Sequence, residues 1–181
     1  SKMARDVASV QPFLAELAEH ARQPATEDIA ALKAIAAADG VVELQPWDST
    51  FYSEKLKVAQ FNLSQEALKP YFPAPKVLQG LFSIVKRLYG VDIIERQAPV
   101  WHTDARYFEL EDQGQVLGGF YFDLYARSGK RGGAWMSGFR SRMQTQHGLQ
   151  KPICYMVCNF TPPVGEQPAL LTHDEVITLF H

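Results

Sequence analysis

Gly90 marks a change of rhythm in this sequence. Upstream of it apolar residues recur at the 3.6-residue spacing of helices, and downstream they alternate at the spacing of two that belongs to strands. Helices gathered before strands, with no Ser/Gly-rich linker between the halves, predict an α+β architecture rather than an alternating βαβ one. Before Gly90, Phe13, Leu14, Leu17, Ala18 and Ala21 share one helical face, with Glu16, Glu19, His20 and Arg22 off it. Pro24 then punctuates, and Ile29, Leu32, Ile35 and Ala36 define a second helix ending near Gly40, so a helical hairpin is expected. A third helix is expected from Asp48 to about Leu63, followed by a short turn at Ser64 to Glu66 and a loop marked by Pro70, Pro73 and Pro75. Leu78, Leu81, Phe82, Val85 and Leu88, with Val77 and Ile84 widening the arc, make the strongest amphipathic helix, which should be well buried.

After Gly90, strand candidates lie at 91–94, 107–110, 120–125, 134–137 and 153–160, with a hairpin signal at Asp112-Gln113-Gly114-Gln115. They predict a sheet of four or five strands, mostly antiparallel. The whole chain, 1–181, reads as one unit: helical over 1–90, sheet over 91–171 and helical again over 172–181.

Composition narrows the function classes. With 46% hydrophobic and 21% charged residues the chain reads as globular rather than disordered, and a net charge of −2 provides no global basic field for nucleic acid or an anionic membrane. No apolar run reaches the roughly 18 residues of a membrane span, and the start, Ser1-Lys2-Met3-Ala4-Arg5-Asp6, lacks the apolar core of a secretory signal, so a cytoplasmic location is expected.

Cys154 and Cys158 fall on one face of a strand but about 13 Å apart, beyond the ~7 Å reach of a disulfide, so buried thiols are expected rather than a bridge. His20, His102 and His147 make no ligand spacing and read as solvated. Arg127-Ser128-Gly129-Lys130-Arg131-Gly132-Gly133 has glycines and cations but fails the phosphate-loop pattern, since no glycine stands five residues before Lys130 and Arg131 replaces the magnesium-binding hydroxyl. A basic turn between strands is the expectation. At the end of the chain, Thr172-His173-Asp174-Glu175 fits a capping box, and the helix it opens carries Val176, Ile177 and Phe180 as an apolar face with His181 one turn after Ile177. So short a helix without a stop signal suggests a piece of a longer protein.

The segment Thr172 to His181 resembles the lead into the zinc motif of the thimet oligopeptidase family of zinc metallopeptidases. The same family pattern is matched in order by Leu44-Gln45-Pro46-Trp47-Asp48, by Tyr52-Ser53-Glu54-Lys55, by Tyr121 through Arg127, by Lys130-Arg131-Gly132-Gly133-Ala134-Trp135 and by Cys158-Asn159-Phe160. The resemblance implies a fragment of a larger zincin-like catalytic domain in which His181 is the first histidine of H-E-x-x-H. Two histidines one helical turn apart share one Zn2+, the intervening glutamate is the general base, and a later glutamate is the third ligand. Only His181 of that set lies in this chain, so 172–181 is the truncated zinc helix, no catalytic residue is assigned here, and the chain alone is expected to be inactive and not to hold Zn2+.

The resemblance also implies short peptides as substrates, bound along an edge strand formed by Gly133, Ala134, Trp135, Met136, Ser137 and Gly138. The alternative is an ordinary edge whose Trp135 and Met136 pack inward. Further implied partners are the missing C-terminal portion of the same protein, with the intact protein monomeric and no nucleic acid or membrane partner. A second class of function stays open: a non-catalytic peptide-binding or interaction module. An E-x-x-H continuation after His181 favours the enzyme, and a stop there favours the module.

Overall fold

A computed structural model describes residues 3–4 and 6–181; Ser1, Lys2 and Arg5, part of the polar start noted above, lie outside the described residues. The backbone forms two compact units, Ser1–Ser64 and Gln65–His181.

In the first unit, α1 (Val7–Ala38) is one continuous helix with Pro12 and Pro24 inside it, which corrects the expected hairpin. Proline removes one intrahelical N–H and crowds the carbonyl four residues back, a cost that normally ends a helix. Here the surrounding turns are exposed, so solvent can take the freed carbonyl of His20. Bonds on either side reinforce the helix: His20 Nδ1 with the Glu16 carbonyl at 2.8 Å, Thr26 Oγ1 to the Arg22 carbonyl at 2.8 Å, and Gln23 to Glu27 at 2.9 Å. The apolar stripe is real but open, with Phe13 58% exposed and only Ala36 buried. A 3-10 turn at Pro46–Asp48 leads into α2 (Ser49–Phe61), which ends on left-handed Asn62.

The second unit begins with α3 (Gln65–Leu68) and α4 (Ala74–Tyr89), which stops at Gly90 (φ 75°) as the sequence predicts. The burial expected along all of α4 holds only for its first turns: Ala74, Val77 and Leu78 are buried, whereas Leu88 is 67% exposed. The strands are β1 (Asp92–Arg96), β2 (Arg106–Asp112), β3 (Gln115–Tyr125), β4 (Trp135–Arg140), β5 (Met143–Thr145), β6 (Gly148–Gln150) and β7 (Ile153–Phe160). Five of them form one sheet in the order β1-β2-β3-β7-β4, in which only β3 and β7 run parallel; β5 and β6 pair separately. The expected α+β architecture with a mostly antiparallel sheet is therefore observed.

The β2–β3 turn has positive φ at Gln113 (47°) and Gly114 (78°), the backbone of a tight hairpin matched to strand twist. Period-two alternation sorts the sheet into two faces. Phe108, Phe120 and Phe122, with ring centroids 4.9 to 5.6 Å apart, join Leu124, Cys158 and Phe160 in a core shared with α4. On the other face Trp101, Tyr121, Tyr155 and Phe139 contact one another in a chain of rings. Gly119 leaves room there for Tyr107, whose ring and hydroxyl would have to move to admit a Cβ. The last helix, α5 (His173–Phe180), packs Val176 and Leu179 on the core. Ile177 and Phe180, assigned above to its apolar face, are instead exposed.

Candidate functional site

Among the described residues, strand β4 pairs through one edge only, with Trp135 opposite Val157, Met136 opposite Met156, Ser137 opposite Tyr155 and Gly138 opposite Cys154. Its outer edge leaves alternate backbone N–H and C=O groups without a ladder partner, the geometry into which an extended chain can add as another strand. Gly133 and Ala134 precede the strand, Gly133 with φ of 84°, and Phe139 and Arg140 extend it beyond the predicted span. Met136 is 71% exposed and Trp135 37%, so neither is packed away in the interior. A side chain at Gly138 would meet nothing within 4 Å, leaving that stretch open to another backbone.

Beside β4 runs a groove of about 370 Å³, lined by Trp135 and Met136 of β4, Met156 and Cys158 of β7, and Thr178, Leu179 and His181 at the end of α5. The capping box that starts α5 forms as the sequence predicts: Glu175 N donates to Thr172 Oγ1 at 3.1 Å and Thr172 N to Glu175 Oε2 at 2.8 Å. With its first turn fixed there and Leu179 anchored on the core, α5 delivers His181 to the groove, its N–H bonded to the Ile177 carbonyl at 3.0 Å. The structure thus brings β4 and His181 to one cleft.

As a donor, the exposed His181 imidazole suits one position of a zinc site. Among the described residues, no three His, Cys, Asp or Glu side chains gather where they could hold a metal ion. The other histidines stand elsewhere: His20 on α1, His102 beside Asp104, His147 in the β5–β6 turn and His173 against Phe72. Cys154, half-buried, and Cys158, buried, are free thiols; burial raises both pKa values, that of Cys158 to about 11.

A second feature lies outside that groove, in a cavity on the aromatic face of the sheet that shares Trp135 with it. Asp123, 3% exposed on central β3, accepts from Arg127 Nη1 (2.6 Å) and Nη2 (2.8 Å), Lys130 Nζ (2.9 Å) and Trp101 Nε1 (2.9 Å). Lys130 Nζ also donates to the carbonyls of Asp123 at 2.9 Å and Tyr125 at 2.7 Å, so the basic turn is bonded inward and is no phosphate cradle. Burial alone would push the Asp123 carboxyl up, but the hydrogen bonds from Arg127, Lys130 and Trp101 prevail and hold it well below the usual carboxylate range. Sequence reasoning passed over this cluster. Its signal was an acid between Phe122 and Leu124 with cations four and seven residues later on a glycine-rich return.

The sequence as a whole is similar to known proteins. The sequence profile of Peptidase family M3 matches residues 1–181. Oligopeptidase A of Escherichia coli (strain K12) is 52% identical over 100% of this chain and 27% of its own length. Organellar oligopeptidase A, chloroplastic/mitochondrial, of Arabidopsis thaliana is 44% identical over 99% of the chain and 24% of its own length. Dipeptidyl carboxypeptidase of Escherichia coli (strain K12) is 39% identical over 99% of the chain and 27% of its own length. The chain thus spans about a quarter of the length of these relatives.

Proposed function

Because the chain belongs to Peptidase family M3, we propose that it supplies one wall of the substrate cleft, and the first metal-ligating histidine, of a zinc-dependent oligopeptidase that hydrolyses short peptides. The observation that carries this reading is the placement of an unpaired strand edge and an exposed histidine on one groove.

In the intact protein, the outer edge of β4 from Trp135 to Gly138 binds an extended substrate through backbone hydrogen bonds, which tolerate many side chains. Gly133 and Ala134 bring the chain into that strand, and Trp135 and Met136 give the groove an apolar wall. His181 contributes one imidazole nitrogen to Zn2+, held at the groove by the capped and anchored helix α5. When bound, the metal supplies a Lewis acid that activates water and polarises the scissile carbonyl. The remaining ligands and the general base come from polypeptide beyond this chain, so residues 1–181 act as part of one catalytic domain and are inactive alone. The family resemblance is the support for reading the intact enzyme as cytoplasmic and monomeric, with no nucleic-acid or membrane partner; separately, no helix among the described residues is long and apolar enough to cross a membrane.

The test is made on the intact protein: zinc content after dialysis, and cleavage of quenched fluorescent peptides with and without a chelator. Stoichiometric zinc with chelator-sensitive cleavage is expected. Tight peptide binding without metal or turnover would replace the enzyme by a peptide-binding module.

A further inference from the structure

The proposed function assigns no task to the charged cluster around Asp123, yet that cluster borders the chain segment that becomes the substrate edge. After β3 the chain must turn back through residues 126–134 before entering the sheet again as β4. This return contains Gly129 (φ 74°), Gly132 and Gly133 (φ 84°), and a Cβ at any of the three would touch nothing within 4 Å. Such a glycine-rich return has little intrinsic stiffness. Strand β4 itself has one ladder, interrupted by a register shift between Gly138 and Arg140. An edge held on one side and fed by a soft loop needs another source of order.

Two sets of bonds provide it. Lys130, in the middle of the return and 5% exposed in its side chain, is tied to the Asp123 carboxylate and to the carbonyls of Asp123 and Tyr125 on β3. Asn159 of β7 donates through Nδ2 to the carbonyls of Arg131 at 2.8 Å and Gly133 at 2.7 Å, two residues ahead of Trp135. Trp135 then lines both the 340 Å³ cavity that contains Asp123, Arg127 and Lys130 and the groove that contains His181. Neither Asp123 nor Asn159 lines the His181 groove.

We propose that Asp123, through Lys130, and Asn159, through the Arg131 and Gly133 carbonyls, are positioning residues that set where β4 and Trp135 meet an extended peptide. The proposal rests on the reading of β4 as a substrate edge. An edge that presents its backbone in a fixed register costs a bound peptide less ordering. A loosened edge therefore weakens substrate and transition state alike, which appears in KM rather than in kcat.

The experiment uses the full-length protein. Asn159→Ala removes both donors without leaving a charge buried, and Asp123→Asn keeps the shape while neutralising the acceptor. Arg106→Ala, which breaks the pair with Glu95 on the β1–β2 side of the sheet away from β4, controls for general destabilisation. Asn159→Ala is expected to raise KM for a quenched fluorescent peptide about tenfold with kcat within about twofold. Zinc content should be unchanged and hydrogen exchange faster at 134–140. Arg106→Ala should lower the melting temperature while leaving KM and that exchange unaltered, and Asp123→Asn, if it folds, should follow Asn159→Ala. A fall in kcat at constant KM, or wild-type exchange at 134–140 in Asn159→Ala, would overturn the proposal. If the wild-type protein cleaved no peptide, the peptidase reading would fall, and the exchange measurement would still decide whether Asn159 positions the strand.

Discussion

Asp123 concentrates the electrostatic cost of this fold in one carboxylate. Its depressed folded-state pKa means that it stabilises the native state above the unfolded carboxyl value of about 4, and that this contribution drains away as pH falls from there toward the folded value. Asp123→Asn should therefore flatten the acid limb of stability between about pH 5 and pH 2, and should cost about 3 kcal/mol near neutrality by leaving Lys130 and Arg127 without their counter-charge. Urea unfolding across that range measures both effects. The residue was hard to read from sequence because a charge alternating with Phe122 and Leu124 is the ordinary mark of a strand face turned to water. Burial here depends on the return loop folding back with its cations, which no local pattern announces. His181 is the opposite case, legible by resemblance and exposed in the structure. In the intact protein His181→Ala should abolish zinc retention and peptide cleavage while leaving circular dichroism unchanged, because the side chain fills no core volume. Near-normal turnover in that variant would exclude it as a ligand.

Local chemistry that closes on itself was the most legible at the scale of elements. The capping box of α5, the Gly90 stop of α4 and the β2–β3 turn all involve residues a few positions apart, and each forms as its sequence predicts. Thr172→Ala removes the acceptor for Glu175 N and should cost about 1 kcal/mol, seen as faster hydrogen exchange over 173–180. Unchanged exchange there would mean that packing of Val176 and Leu179 alone sets the helix. What failed was punctuation. Pro24 reads as a break because its cost is intrinsic, but whether a helix tolerates that cost depends on solvent and flanking bonds around His20, Gln23 and Thr26. The β5–β6 hairpin was missed for a different reason: each strand is three residues long with one large apolar side chain, and Gln146-His147 is no standard turn pair.

The chain as a whole exposes apolar side chains that a self-sufficient domain would cover, among them Phe13, Leu14 and Leu17 on α1, Leu88 on α4, and Ile177 and Phe180 on α5. Relatives about four times as long have polypeptide to spare for such surfaces. The isolated 181-residue chain should accordingly show concentration-dependent light scattering, retain no stoichiometric zinc and cleave no peptide. A strictly monomeric, chelator-sensitive fragment would contradict that account. The strand order β3-β7-β4 also sets when the sheet can close. Synthesis proceeds from the N-terminus, so β4 leaves the ribosome before β7, its ladder partner among the described residues, and the β2–β3 hairpin is complete while β4 still has no neighbour on either side. A force profile of the nascent chain should place closure of the sheet after Phe160 has emerged. Until then β4 is the segment of this sheet most open to capture by a chaperone or by another unfinished chain.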